Sequence, residues 1–124
     1  MVSLRAGGYA FAVASSVVPT PSIVPPAFIK RIIDELHPLE IWLFGSRARG
    51  TPGPESDWDL LAVLPDTARE EDLDIVPLWA RLRDLHVKRV ELFPITKSDF
   101  DRCRRSLGTL AQIVASEGVV VYAR

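Results

Sequence analysis

Residues 43–63 read LFGSRARGTPGPESDWDLLAV, and the division of this stretch decides the fold. The apolar run that starts at Ile41 stops at Gly45-Ser46, and a loop rich in arginine, glycine and proline follows. Asp57 and Asp59 then open a second apolar run that ends at Pro65. Short, β-rich runs bounded by Gly and Pro read as buried strands. Two strands joined by an Arg47–Ser56 loop are therefore expected. On a strand, side chains at i and i+2 share one face about 6.6 Å apart. Asp57 and Asp59 then point one way and Trp58 points the other, toward packing. Two carboxylates on one half-buried face repel each other and cost free energy. A divalent cation removes that penalty, and magnesium favours a few carboxylates together with phosphate oxygens. The pattern makes sense as the holder of a metal–nucleotide complex.

The residues ahead of the carboxylates support this reading. A glycine lets the backbone come close to a ligand, so Gly45 suits a phosphate-binding turn. The Ser46 hydroxyl can donate to a phosphate oxygen. Arg47 and Arg49 place guanidinium groups beside it, which suit phosphate. A third acid, Glu91, sits between Val90 and Leu92 inside an apolar run. If its strand lies beside the Asp57–Asp59 strand, Glu91 completes a three-carboxylate cluster. It would then serve as a metal ligand, or as the base that takes the acceptor's proton.

Outward from this stretch, PPAFIKRIIDELHP (25–38) carries Phe28, Ile29, Ile32, Ile33 and Leu36 at helical spacing. Pro26 suits the first turn and Pro38 stops the helix. Residues 67–85 read as mostly helical, with a start or kink at Pro77. Residues 87–96 alternate as a third strand. Thr96 or Ser98 suits a cap for the helix after it. Residues 107–118 read as a helix stopped by Gly118, and VVVYA (119–123) as a last strand or apolar tail. Strands alternating with helices argue for an α/β fold, a small mixed sheet packed against helices. Residues 1–24 are expected to be an extension, disordered or loosely docked, with an edge strand or partner-binding segment as the alternative. Its apolar part, Gly7 to Val18, is too short to span a membrane. Its single early positive charge and the prolines that follow argue against a secretory signal. Residues 25–124 form the domain.

The chain has 124 residues, 48% of them hydrophobic, enough for one packed domain. A formal net charge of −1 argues against nucleic acid as the main partner. The single cysteine, Cys103, excludes an internal disulfide and a Cys-rich zinc site. A reducing, cytoplasmic setting is the default. The Gly-Lys-Ser/Thr end of a P-loop and a GxSxG elbow are both missing. His37 and His86 have no close histidine partner for zinc and read as surface or capping residues.

Each piece alone is an ordinary turn, cap or loop; their order is what carries weight. A GS pair, ten intervening residues, DWD and a later VEL form the pattern that resembles nucleotidyltransferases of the DNA polymerase β-like superfamily. The wording FGSRARG…SDWDLLAV and the ending after Ile95 resemble the minimal nucleotidyltransferase (MNT) subgroup. The resemblance covers residues 25–124. It implies the polymerase β-like nucleotidyltransferase fold. It also implies that Gly45 and Ser46 contact phosphates, that Asp57 and Asp59 bind Mg2+, and that Glu91 is the third carboxylate. Glu91 stands where aspartate is common in the family. The activity implied is movement of a nucleoside monophosphate, AMP expected, from a nucleoside triphosphate such as ATP to a hydroxyl. Many proteins of that subgroup are antitoxins paired with a HEPN-type toxin, so a protein partner is implied. Two other functions stay open: a non-catalytic antitoxin that acts by contact, and a small-molecule nucleotidyltransferase. The latter usually carries an extra substrate domain, for which little length remains.

Overall fold

The computed structural model describes residues 19–124. Helix α1, Pro26–Leu36, begins with proline in its first turn, where the missing N–H has no helical partner to lose. It ends where His37 turns left-handed and donates its N–H to Ile33 O. Strand β1 follows over Glu40–Phe44 and the single turn α2 over Ser46–Arg49. Strand β2 spans Trp58–Leu64. The segment read as one mostly helical stretch is three short helices: α3 Glu70–Leu73, α4 Ile75–Arg81 and α5 Arg83–Val87. Asp74 makes the break before α4, accepting a hydrogen bond from the Val76 N–H as its cap. Pro77 therefore falls in the first turn of α4 and disrupts nothing. Strand β3, Val90–Thr96, starts three residues later than expected, after Arg89 turns to φ +66°.

Thr96 caps α6, Lys97–Cys103, by accepting from the Asp99 N–H. Ser98 is instead held by Asp66, through both its N–H and its hydroxyl. Thr109 caps α7, Leu110–Glu117, so Leu107 and Gly108 precede the helix. The C-terminal VVVYA is strand β4, Val119–Ala123.

The four strands form one mixed sheet in the order β3-β2-β1-β4. β1 pairs antiparallel with β2 and β4, and β2 pairs parallel with β3. Parallel pairing needs a crossover, and α3 to α5 provide it. Pro94 is tolerated in β3 because that strand is at an edge. β2 is apolar on both faces and buried on both. Leu60, Ala62 and Leu64 meet Ile32, Leu36, Leu78, Leu82 and Leu85. Leu61 and Val63 meet Phe100, Ala111 and Val114. The sheet is thus sandwiched between α1, α4 and α5 on one side and α6 and α7 on the other. No helix among the described residues is long and apolar enough to cross a membrane. Expectations for residues 1–18 lie outside the described residues. Residues 19–24 lie against the α2 turn: Ser22 N–H donates to Arg47 O at 2.8 Å, and Val24 is buried.

Candidate active site

The register of the parallel pair builds the site. Asp59 on β2 stands opposite Glu91 on β3, and opposite Phe44 on β1. Three segments far apart in sequence therefore meet at one end of the sheet: the end of β1 with Gly45-Ser46, the start of β2, and the start of β3. Alternation along β2 puts Asp59 on the same face as Leu61 and Val63, just beyond the apolar cluster around Phe100. Trp58 faces the other way, against Phe28, with ring centroids 6.2 Å apart. Trp58 N–H donates to Arg89 O at 2.8 Å, which joins β2 to β3 at their first residues.

The carboxylates feel one another. Partial burial, then the negative charges of Glu91 and Asp57, push the Asp59 carboxyl up to about 6, against the opposing pull of Arg49. Gly45 lies against this group. A Cβ built there would come within 2.3 Å of Asp59 Oδ2, and Gly45 has φ +76°. The position is thus closed to a side chain by space and by backbone conformation.

Asp57 lies at the rim and pairs with Arg89, Nη1 to Oδ1 at 3.4 Å. Arg89 also holds Glu55 at 2.7 Å. Among the described residues, no three His, Cys, Asp or Glu side chains stand in a ready-made metal-holding arrangement. The donor chemistry still fits a hard divalent cation: three oxygen-donor carboxylates, with the charges of Glu91 and Asp57 acting on a half-buried Asp59. A cation of that kind would relieve the crowding, with Arg89 supplying part of the countercharge in its absence.

The two arginines of the loop face different ways. Arg47 donates from Nε and Nη2 to Ser56 O, at 3.1 and 2.9 Å, and its guanidinium carbon lies 4.0 Å from the centre of the Trp58 ring. Arg49 is exposed, pairs with Glu117 at 2.8 Å, and acts on the Asp59 charge. On the β3 side, Asp57, His86, Val87, Arg89 and Glu91 line a cavity of about 360 Å³. His86, read from sequence as a surface or capping residue, is at this wall and stacks on Trp79 at 5.4 Å. Its position three residues before Arg89 and five before Glu91 was the available signal.

A sequence-family profile described as a nucleotidyltransferase domain matches residues 28–118. No curated protein matches the chain at a significant level. Among solved structures, a protein from Sulfolobus solfataricus assigned as a nucleotidyltransferase is similar, with a TM-score of 0.53 and 20% identity. The match covers 79% of this chain and 76% of that one. A toxin–antitoxin solved with AMP-PNP is similar at a TM-score of 0.53 and 23% identity, over 82% of this chain and 75% of that one. At these identities the two structures establish a shared fold. With the profile spanning more than half of its length, and Gly45 set against Asp59, the in-register neighbour of Glu91, the chain belongs to the nucleotidyltransferase-domain family.

Proposed function

We propose that this nucleotidyltransferase moves a nucleoside monophosphate, AMP first among candidates, from a triphosphate to a hydroxyl on a partner protein. The observation that carries the reading is the in-register pair Asp59–Glu91, with the Asp59 carboxylate set against Gly45. In this reading Gly45 and Ser46 admit the phosphates, and Asp57, Asp59 and Glu91 hold Mg2+. The bound ion would neutralise the carboxylates and the phosphate charge that develops during transfer.

The transfer balances simply. The acceptor oxygen bonds to the α-phosphorus, the bond from that phosphorus to the bridging oxygen breaks, and pyrophosphate leaves. The acceptor's proton passes to Glu91 or to solvent. The cavity bounded by Glu91 and His86 lies across Asp59 from the Gly45-Ser46 turn, which suits entry of the acceptor from the side away from the nucleotide.

The fold shared with a toxin–antitoxin solved with AMP-PNP supports ATP as donor and a toxin as partner, a HEPN-type toxin being the specific candidate. That role belongs in the cytoplasm, in keeping with a single unpaired cysteine. The non-catalytic antitoxin is the second reading, favoured by the pairing of Asp57 with Arg89.

Calorimetric titration of ATP, GTP, CTP and UTP with magnesium separates the two readings. Magnesium-dependent binding in the wild type, lost in Asp57→Asn/Asp59→Asn, is expected and would identify the base. No binding to any triphosphate would favour action by contact alone.

A further inference from the structure

The two arginines after Ser46 differ in what they touch, although in sequence they look like a matched pair. Arg47 has its guanidinium sandwiched: one face lies over the Trp58 ring, and one edge makes two hydrogen bonds to Ser56 O. Ser56 and Trp58 flank Asp57. Arg47 thus grips both neighbours of the first carboxylate from the turn that carries Ser46. The loop is tied again at Ser56, whose hydroxyl accepts the Gly53 N–H at 2.7 Å. The carbonyl of Arg47 is itself engaged by Ser22 N–H. Arg49, by contrast, projects to the open side, where an exposed pair with Glu117 holds it loosely. Its charge reaches Asp59.

We infer that Arg47 is a positioning residue that locks the Gly45-Ser46 turn to Asp57 and the start of β2, and not a phosphate contact. Arg49 as a phosphate contact belongs to the nucleotide reading above and serves here as the comparison; the role of Arg47 does not depend on it. Arginine is needed at 47 because a planar fork can stack and bond twice at one edge. A lysine ammonium offers a point charge on a flexible stem.

The test uses Arg47→Ala, Arg47→Lys and Arg49→Ala, with two probes: manganese alone, and inorganic triphosphate in EDTA. Residues that orient metal ligands typically change affinity about 10–100-fold, so both Arg47 variants should weaken manganese binding by about that much. Both should leave metal-free triphosphate binding within about twofold of the wild type. Arg49→Ala should weaken triphosphate binding about tenfold, the worth of one charge-assisted hydrogen bond. If Arg47→Lys binds triphosphate as poorly as Arg49→Ala, Arg47 is a phosphate ligand and the inference fails. If Arg47→Lys binds manganese like the wild type, positioning fails.

A third readout needs neither metal nor nucleotide. Amide exchange at Trp58 should speed up about tenfold or more in Arg47→Lys, because the strand start is released. Unchanged exchange overturns the clamp. Wild-type protein that binds manganese but no triphosphate would overturn the nucleotide reading, and Arg49's role with it, while leaving the clamp to stand on exchange and manganese affinity.

Discussion

The Asp59 carboxylate occupies the space that a side chain on Gly45 would need, with Oδ2 lying 2.3 Å from where a Cβ would be. The Gly45-Ser46 turn and the strand that carries the acid are thus fitted to each other at van der Waals contact. An added methyl group must push the carboxylate aside.

Gly45→Ala should therefore fail twice. Holding a non-glycine residue at positive φ costs about 1–2 kcal/mol, which lowers Tm by roughly 5–10 °C. The displaced Asp59 should cost about 100-fold or more in transfer, since small misplacements at a reacting centre have that effect. Melting by circular dichroism and single-turnover assay measure the two losses separately.

Asp57→Asn and Asp59→Asn should each abolish transfer while the fold survives. Removing a metal ligand is expected to take several kcal/mol from the transition state, or about 1000-fold in rate. Retained turnover in either variant would remove that residue from the catalytic set. Asp59→Asn should also raise the metal-free Tm at pH 7, because it relieves a crowded charge that Glu91 and Asp57 oppose.

The pH dependence of that gain has a definite sign. Asp59 titrates near 6 in the fold against a usual 3.8, so the native state binds this proton more tightly than the unfolded chain does. The stability it contributes is complete below about 3.8 and is lost as pH rises through about 6. In EDTA, the Tm of Asp59→Asn minus that of the wild type should be more positive at pH 7 than at pH 4.5. Glu91→Gln removes a raising charge and should shift the window to lower pH. A difference independent of pH would contradict the crowding.

Away from the site, Asp72 is the one buried charged residue among those described. Arg81 Nη2 reaches it at 2.8 Å and Arg69 Nη2 at 3.2 Å, and Arg81 also holds Glu35 at 2.9 Å. Asp72→Ala leaves a half-buried guanidinium with one partner fewer, which should cost about 1–3 kcal/mol. Urea unfolding should show that loss with the slope m unchanged.

Much of this was legible in residues 43–63. Alternation put Trp58 opposite the carboxylates, and the apolar run LLAVL announced a strand. Glu91 stood out because an acid interrupts an apolar run. Other features were not legible, for physical reasons. Sheet order depends on which strands find each other, so nothing local to Asp59 says that Glu91 is its parallel neighbour. Residues 67–85 carry a helical stripe that reads as starting or kinking at Pro77, yet it is Asp74 that competes for the backbone and divides it. Arg47 and Arg49 are identical in type, and only the three-dimensional placement of Trp58 separates them. His86 stands near Arg89 and Glu91 in sequence, but a lone histidine at the end of a helical stripe gives no local sign that its helix ends at a cavity wall.

The central strand β1 has one partner that arrives soon and one that arrives late. Its register with β2 pairs Phe44 with Asp59, whereas its register with β4 pairs Leu43 with Val119. Closing the second contact draws in nearly the whole domain, and non-local pairing of that kind slows folding. During synthesis, the strands that bear the three acids are complete before the last strand can dock beside β1. The nascent chain thus holds Asp59 and Glu91 on a sheet with an open central edge, the interval in which an edge is most exposed to pairing with a neighbouring chain.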